Sequence, residues 1–261
     1  MQRILITGGA GGIGSEAIKY INRKSEQTEI HVVDNDKDAL EELENVEKHF
    51  LDVNNHKEIE KLSEKLDIDI LVNCAGYQMQ GAVEDMSIED FEKHTQTNYL
   101  ASVNCVKAFL PQLKNKEQAK IINVSSIAGK TGFPFLSAYC GSKYALEGFT
   151  DSLRKELLDT SIQVVLVEPG RVKTGFNENG VKNMESYLPG SSWSPQYRNI
   201  LEEDSYGGIS QEKAGKKLGK LVLKTKNKPR HTINAEADLI KLLKLVLPTG
   251  IYDRVLKKFL M

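Results

Sequence analysis

Short apolar runs alternate along this chain with longer stretches in which apolar positions recur every three to four residues. The runs are Ile4-Leu5-Ile6, Ile30-His31-Val32-Val33, Ile70-Leu71-Val72, Ile121-Ile122-Asn123-Val124 and Val164-Val165-Leu166-Val167. Near-continuous apolar runs of this length predict strands buried on both faces. Between them, residues 13–24, 38–43, 57–66, 88–113 and 138–158 predict helices. Strand, helix, strand repeated in this way predicts an α/β fold: one doubly wound parallel sheet with helices on both faces. In the helix from Ala138, Leu146, Phe149, Leu153 and Leu157 form a stripe that faces the sheet or a second subunit.

The regular pattern weakens after Gly170. Residues 175–208 are polar and turn-rich, with Leu188-Pro189-Gly190-Ser191-Ser192 at their centre and Phe176, Tyr187, Trp193 and Tyr197 among them. Aromatics in such a stretch favour a lid over a site rather than a plain surface loop. Further on, Leu239, Ile240, Leu242, Leu243, Leu245 and Val246 are interrupted by Lys241 and Lys244. A second stretch (Ile251, Val255, Leu256, Phe259, Leu260) carries Arg254, Lys257 and Lys258 on its other side. An amphipathic tail over about 236–261 of this kind either lies on a membrane surface, clasps a lipid substrate, or packs against the body or a second subunit. Without a repeat or linker, residues 1–261 form a single domain with a lid and a tail.

Charge narrows the function classes. Lys and Arg number 35 against 36 Asp and Glu, for a net charge of −1, so no broad basic field argues for nucleic acid. Cys74, Cys105 and Cys140 are scattered, and the five histidines form no ligand pair. That excludes a disulfide framework and a metal site and fits a reducing compartment. No signal peptide precedes the first strand, and no apolar run approaches the ~18–20 residues of a spanning helix, so a cytoplasmic protein is expected.

Thr7-Gly8-Gly9-Ala10-Gly11-Gly12-Ile13-Gly14 follows the first strand and opens the first helix. Glycines there allow close approach to a pyrophosphate, and the helix N-terminus offers N–H groups and the positive dipole end. The second strand ends at Asp34, twenty residues after Gly14. That is where a carboxylate meets a ribose 2′-hydroxyl and repels a 2′-phosphate. NAD is therefore favoured over NADP, with Lys37 close enough to keep NADP as the alternative. Capping the segment that begins at Asp36 is the other role open to Asp34.

Tyr139 and Lys143 are four apart and so share a helix face, with Ser126 thirteen residues upstream of Tyr139. A cation beside a phenol favours the phenolate. The expectation is that Lys143 lowers the phenol's titration, making Tyr139 a general acid/base, with Ser126 holding the substrate oxygen. Packing for the tyrosine, solvation for the lysine and a turn cap for the serine are the alternative roles.

Taken together, residues 3–174 resemble the short-chain dehydrogenase/reductase family, whose Rossmann-type fold the strand pattern matches. The resemblance rests on Thr7 to Gly14, Asp52-Val53, Asn73-Cys74-Ala75-Gly76, Asn98, Ser126, Tyr139, Lys143 and Pro169-Gly170 with Thr174. Cys74 departs from the family's second asparagine. The resemblance implies a catalytic set of Asn98, Ser126, Tyr139 and Lys143, with Asn98 linking Lys143 to solvent through water. It implies cofactor contacts from Gly8, Gly12, Ile13, Gly14, Asp34, Asp52, Val53, Asn73, Ala75, Gly76, Tyr139, Lys143, Pro169, Gly170, Val172 and Thr174. The residues around Phe133 and Tyr139 resemble the hydroxysteroid and retinol dehydrogenase branch. A homodimer or homotetramer, formed through the helices at 88–113 and 138–158, is implied as well.

Tyr77, Gln78, Met79, Phe133 to Leu136 and Phe176 onward fall at the C-terminal ends of strands, where ligands bind in such sheets. Mostly apolar and without a cluster of Arg or Lys, they predict a hydrophobic alcohol or ketone that is steroid-, retinoid- or lipid-like. A nucleotide-binding regulator without turnover is the rival reading.

Overall fold

The computed structural model describes residues 1–202 and 207–260. The lid residues 203–206, Met261 of the tail, and the side chains of 177–179, Lys258, Phe259 and Leu260 lie outside the described residues.

Seven parallel strands run in the order β3-β2-β1-β4-β5-β6-β9. They are β1 (Gln2–Thr7), β2 (Thr28–Asp34), β3 (Glu47–Phe50), β4 (Ile70–Asn73), β5 (Ala119–Val124), β6 (Ile162–Glu168) and β9 (Arg230–Thr232). Alternation of side chains across the pleat gives the sheet two cores. Ile4, Ile6, Val32, Val72, Ile122 and Val165 face helices α1 (Gly12–Lys24) and α10 (Gln211–Leu223). Leu5, Val33, Leu71, Ile121 and Val164 face α3 (His56–Lys65), α5 (Ala101–Leu113) and α6 (Ser137–Glu156). The chain runs outward from β1 to β3, then restarts at β4 on the other side of β1. That reversal opens a crevice at the strands' C-terminal ends.

The five strands read from apolar runs all lie within observed strands. Edge strands β3 and β9 escaped because Glu47-Lys48-His49-Phe50 and Arg230-His231-Thr232 are polar and only half covered. Helix α10 escaped because its lysines and glycines blur the period. Those glycines bring it against α1: a Cβ on Gly215 would stand 2.3 Å from Glu16 Cβ.

The single helix expected over 88–113 is three pieces. Helix α4 (Ile88–Thr95) starts on a capping box between Ser87 and Asp90, and α5 follows. Between them Gln96–Leu100 form a wide π turn in which Ala101 N–H reaches back to Gln96 O. Wide turns of this sort concentrate at functional positions, and this one holds Asn98.

The region expected to be an unstructured lid is helical. It comprises α7 (Gly175–Lys182), α8 (Met184–Tyr187) and α9 (Ser194–Glu202). Tyr197 and Met184 are fully buried there, beside Phe135, Tyr187 and Trp193. Tyr197 Oη accepts from Ala82 N at 2.7 Å and donates to Asp85 Oδ2 at 2.5 Å. Short strands β7 (Val172–Lys173) and β8 (Ile209–Ser210) pair in parallel at its base.

The tail forms α11 (Ala235–Val246) and α12 (Thr249–Leu260). Its first lysines are tied to the body: Lys241 Nζ meets Glu168 Oε2 at 2.7 Å, and Lys244 Nζ meets Tyr144 Oη at 2.9 Å and the carbonyl of Lys130. The outward face of α11 is instead apolar, with Leu239, Leu242, Leu245 and Val246 exposed. Among the described residues no helix is long and apolar enough to cross a membrane.

Candidate active site

The crevice is a cleft of about 990 Å³. The glycine loop borders one end and Phe133, Phe135, Phe176 and Ile200 the other, with Tyr139 and Lys143 in its wall.

At the β1–α1 turn, Gly8 adopts φ +64 with its Cα against Ala75, so that a Cβ would stand 2.5 Å from Ala75 Cα. Only glycine fits that turn. Thr7 Oγ1 accepts from the backbone N–H of Cys74 and of Ala75, at 3.2 and 3.3 Å, tying the ends of β1 and β4 together at the reversal. Helix α1 begins with no side-chain cap and no acidic residue in its first turn. Its N–H groups and dipole are therefore left for an anion. Gly11, Gly12, Ile13 and Gly14 all line the cleft there. Opposite, Thr174 packs on the loop: a Cβ on Gly12 would meet Thr174 Cγ2 at 2.8 Å.

Asp34 sits at the β2 end of the cleft. Its Oδ2 accepts from Ala10 N at 2.9 Å and its Oδ1 from Asp36 N at 3.1 Å. Asp36, not Asp34, caps α2 (Lys37–Glu41), accepting from Ala39 N at 3.0 Å. Asp34 therefore braces the glycine loop while facing the cleft. Asp52 and Val53 line the neighbouring wall, with Asp52 Oδ1 accepting from Asn54 N at 2.9 Å.

Of the stretch after β4, Cys74, Ala75 and Gly76 line the cleft but Asn73 does not. Its side chain is buried and donates to Asn123 Oδ1 at 2.8 Å, and Asn123 donates to Thr150 Oγ1 at 2.9 Å. Asn73 thus braces the sheet against α6. Burial pushes the Cys74 thiol up to about 11, so it stays protonated at neutral pH.

Ser126 follows β5 and caps the short turn Ile127–Gly129, accepting from Ala128 N at 3.1 Å. The same hydroxyl lowers the cost of ionising the Tyr139 phenol, so turn cap and phenol neighbour are one residue. Tyr139 is 7% exposed, walled by Phe133, Leu136 and Phe176, the last edge-on at 6.0 Å. Just before α6, Phe135 holds φ +62, a left-handed conformation rare for an aromatic. Its ring contacts Trp193 and Tyr197, and its carbonyl accepts from Gly81 N at 2.8 Å. Packing on both sides fixes that strained turn.

Electrostatics differ from the sequence expectation. Burial drives the Tyr139 phenol above its usual range, opposed by the Ser126 hydrogen bond. Lys143 is equally buried, which lowers it to about 8 against the opposing pull of Cys74 and Glu147. Its ammonium stands over the Tyr139 ring, 5.8 Å from the centroid, and donates to Val124 O at 3.0 Å. In the protein alone, desolvation therefore outweighs the cation's help to the phenolate.

Asn98 is fully buried. It clamps Tyr77, accepting from its N–H at 2.8 Å and donating to its carbonyl at 2.9 Å, and it donates to Ser142 Oγ at 3.0 Å. Both amide hydrogens are thus spent on protein, so any role in a water relay falls to its carbonyl oxygen. A Cβ on Gly76 would sit 3.3 Å from that oxygen and 3.8 Å from Lys143 Nζ.

Pro169, Gly170, Val172 and Thr174 all line the cleft. Asn234, which the sequence pattern gave no reason to select, fixes this segment. It accepts from Gly170 N at 2.9 Å and donates to Arg171 O at 3.1 Å. Beneath it, buried Glu168 and Glu147 share Arg230, at 2.5 and 2.6 Å.

The substrate end is more polar than expected. Phe133, Leu136 and Phe176 line it, but so do Gln78, Gln196 and Asn199, while Met79 does not. Met79 N donates to His94 Nε2 at 3.0 Å. Lys93 and Arg171 reach the cleft as well, each already engaged. Lys93 lies 4.7 Å over the Tyr77 ring, and Arg171 Nε pairs with Glu236 Oε1 at 2.7 Å.

Residues 2–185 match the model of the short chain dehydrogenase family, and the chain belongs to that family. It is 33% identical over 241 residues to a 3-ketodihydrosphingosine reductase of Bacteroides thetaiotaomicron, covering 88% of this chain and 87% of the relative. It is 42% identical over 110 residues to retinol dehydrogenase 8 of Bos taurus, covering 42% of this chain and 35% of that one. The resemblance to the retinol and hydroxysteroid branch holds. A short chain dehydrogenase from Burkholderia cenocepacia, solved with NADP, superposes with a TM-score of 0.80 at 21% identity, covering 97% of this chain and 98% of that one.

Proposed function

We propose that the protein is a nicotinamide-dependent oxidoreductase that interconverts a hydrophobic secondary alcohol and its ketone. The carrying observation is that Ser126, Tyr139 and Lys143 line the same cleft that the uncapped α1 terminus opens into. The glycine turn, open helix terminus and Asp34 fit a dinucleotide. When bound, it supplies the hydride acceptor or donor. In the oxidative direction Tyr139, as the phenolate, would take the alcohol's hydroxyl proton while a bound oxidised nicotinamide would accept hydride from the carbon bearing that hydroxyl. Ketone and reduced cofactor result, with one proton released as Tyr139 returns to the phenolate.

In this reading Ser126 Oγ holds the substrate oxygen and steadies charge on Tyr139 as the proton moves. Tyr139, which burial makes reluctant to ionise, would be eased toward the phenolate by the positive charge of a bound oxidised nicotinamide. Lys143 is held by Val124 O within reach of the ribose side, and Asn98 and Tyr77 border it. Gly8, Gly12, Ile13 and Gly14 would hold the pyrophosphate, Asp34 the adenosine ribose, and Asp52 and Val53 the adenine. Ala75, Gly76, Pro169, Gly170, Val172 and Thr174 would border the nicotinamide half. NAD is favoured: Asp34, Asn35, Asp36 and Ala39 line the ribose end, with no Lys or Arg among them. Reduction with NADPH is the alternative, supported by the NADP held by the Burkholderia protein.

Phe133, Leu136, Phe176 and Ile200 support an apolar substrate body, as does the named substrate of the Bacteroides relative. Helices α7 to α9 act as the lid. Ile88, Leu100 and Tyr144 are exposed on α4, the π turn and α6, which supports assembly of a homodimer or homotetramer through those helices. With Lys241 tied to Glu168 and Lys244 to the Lys130 carbonyl, packing of α11 on the body is favoured over an electrostatic hold on a membrane. Three free thiols suit the reducing cytoplasm. The test is spectrophotometric: NAD and NADP are offered with a panel of long-chain, steroid and retinoid alcohols beside small sugars. Reduction of NAD by the apolar alcohols supports the reading, and a panel won by sugars refutes the substrate class.

A further inference from the structure

Two carboxamides in the cleft have no work in the reaction described above. Gln78, directly after the Gly76-Tyr77 turn, is 8% exposed and makes no side-chain hydrogen bond among the described residues. It fits against α7 at Gly180, where a Cβ would stand 3.0 Å from Gln78 Nε2. Gln196, on α9, has a buried Oε1 with no hydrogen-bond partner among the described residues. Both side chains line the same cleft as Tyr139. Their neighbours behave differently: Asn183 is saturated by the Gln80 backbone, donating at 2.7 Å and accepting at 3.1 Å.

An unpaired buried carbonyl costs about 1–3 kcal/mol, and a fold keeps such a group chiefly where something else pairs with it. We propose that Gln78 and Gln196 form a polar subsite for a hydrogen-bond-donating group, a hydroxyl or ammonium, carried by the substrate beside its apolar body. This rests on the oxidoreductase reading and names the substrate class more narrowly: an amphipathic amino- or hydroxy-substituted alcohol or ketone. The chemistry follows from the atoms. Gln196 Oε1 can only accept, so its ligand must donate. At that oxygen a carboxylate or phosphate would set acceptor against acceptor, and the cations that could balance an anion are engaged elsewhere, Arg171 with Glu236 and Lys93 over Tyr77. A bare hydrocarbon would leave the carbonyl orphaned in a closed cleft. A site with buried polar groups rejects a ligand lacking their partner more strongly than an apolar pocket rejects an extra group.

The test compares two ligands of equal chain length, a twelve-carbon 2-amino-1,3-diol and dodecan-3-ol, titrated into the full-length protein with NADH present. Trp193, the single tryptophan of the chain, packs 5.4 Å from Phe135 in the lid and reports binding by fluorescence. The amino-diol is expected to bind at least tenfold more tightly than the plain alcohol. Gln78→Leu and Gln196→Leu should each reduce that ratio several-fold, with retained NADH binding showing that they fold. Equal affinity of the wild-type protein for the two ligands overturns the subsite, and so does an undiminished ratio in both variants. Oxidation of the same two alcohols, followed separately, distinguishes the two readings. Turnover of both with equal binding removes the subsite and leaves the oxidoreductase. Preferential binding of the amino-diol with no turnover of either, by NAD or NADP, keeps the subsite and removes the oxidoreductase.

Discussion

Lys143 Nζ lies over the face of the Tyr139 ring, 5.8 Å from its centroid, and spends a hydrogen bond on Val124 O, 3.0 Å away, rather than on the phenol. The neighbour that lowers the Tyr139 phenol against its burial is Ser126. In the protein alone, the residue that eases ionisation of the phenol is therefore the serine, and the lysine is a buried cation held one step back.

Tyr139→Phe removes the hydroxyl proposed to exchange the substrate proton while keeping the ring that packs on Phe176. Cofactor binding by isothermal titration should be unchanged, and kcat on a verified alcohol should fall by about 10²–10⁴, the usual contribution of a positioned acid/base. Near-native turnover would remove Tyr139 from the mechanism.

Lys143→Met should trade activity for stability. Burial lowers Lys143 from 10.5 to about 8, so between those values the unfolded chain holds a proton the folded chain has released. Stability therefore rises with pH across that window, and the cost of the buried cation is fully present below it. At about 1.4 kcal/mol per unit that cost is roughly 3 kcal/mol at most. The variant should melt higher at pH 7, lose turnover, and lose its advantage as pH approaches 10.5. Differential scanning calorimetry from pH 7 to 10.5 checks it, and an unchanged or lower melting temperature at pH 7 contradicts it.

Asp34→Ala should weaken NAD binding and shrink the preference over NADP by about tenfold, or ~1.4 kcal/mol. Part of the loss will come from the loop, since Ala10 N gives up its acceptor. Titration of both cofactors into both proteins separates these: loop damage weakens the two alike, whereas the charge affects NADP in the opposite sense. Equal affinities in the wild-type protein would end the case for NAD.

Asn234→Ala leaves Gly170 N–H without its side-chain acceptor. A loss of about 1–3 kcal/mol is expected, together with a raised KM for the cofactor. Asn234→Asp keeps an acceptor toward Gly170 and should recover most of the KM. A variant that is destabilised with an unaltered KM would make Asn234 a purely structural brace.

How much of this could be read beforehand depends on how locally each feature is encoded. The five inner strands were legible because burial on both faces demands an apolar run, as at Val164 to Val167. The glycine loop, Ser126, Tyr139 and Lys143 were legible because short chemical spacings survive in one dimension. Burial was not. Nothing in the chain near Tyr139 shows that Phe133, Leu136 and Phe176 enclose it, so the direction of its titration was misjudged. Asn234 pairs with Gly170 across 64 positions, and no local pattern carries such a contact. The tail's place stayed open in the sequence because periodicity shows that Lys241 and Leu239 differ in face, not which of the two faces meets Glu168.

The wide turn at Gln96–Leu100 makes the spacing between Ser87 and Pro111 one residue longer than an unbroken spiral would need. Deleting one residue there would let α4 and α5 run on as a single rod. Because the turn already spends one extra residue, the flanking helices would keep their phase, whereas the same deletion in a regular helix turns one side by roughly 100° against the other. Phe109 would stay against the sheet, and the local register that aims the Asn98 amide at Tyr77 would be lost. The irregularity lets one helix answer to two masters, and a smoother one could serve only the core or only the reaction.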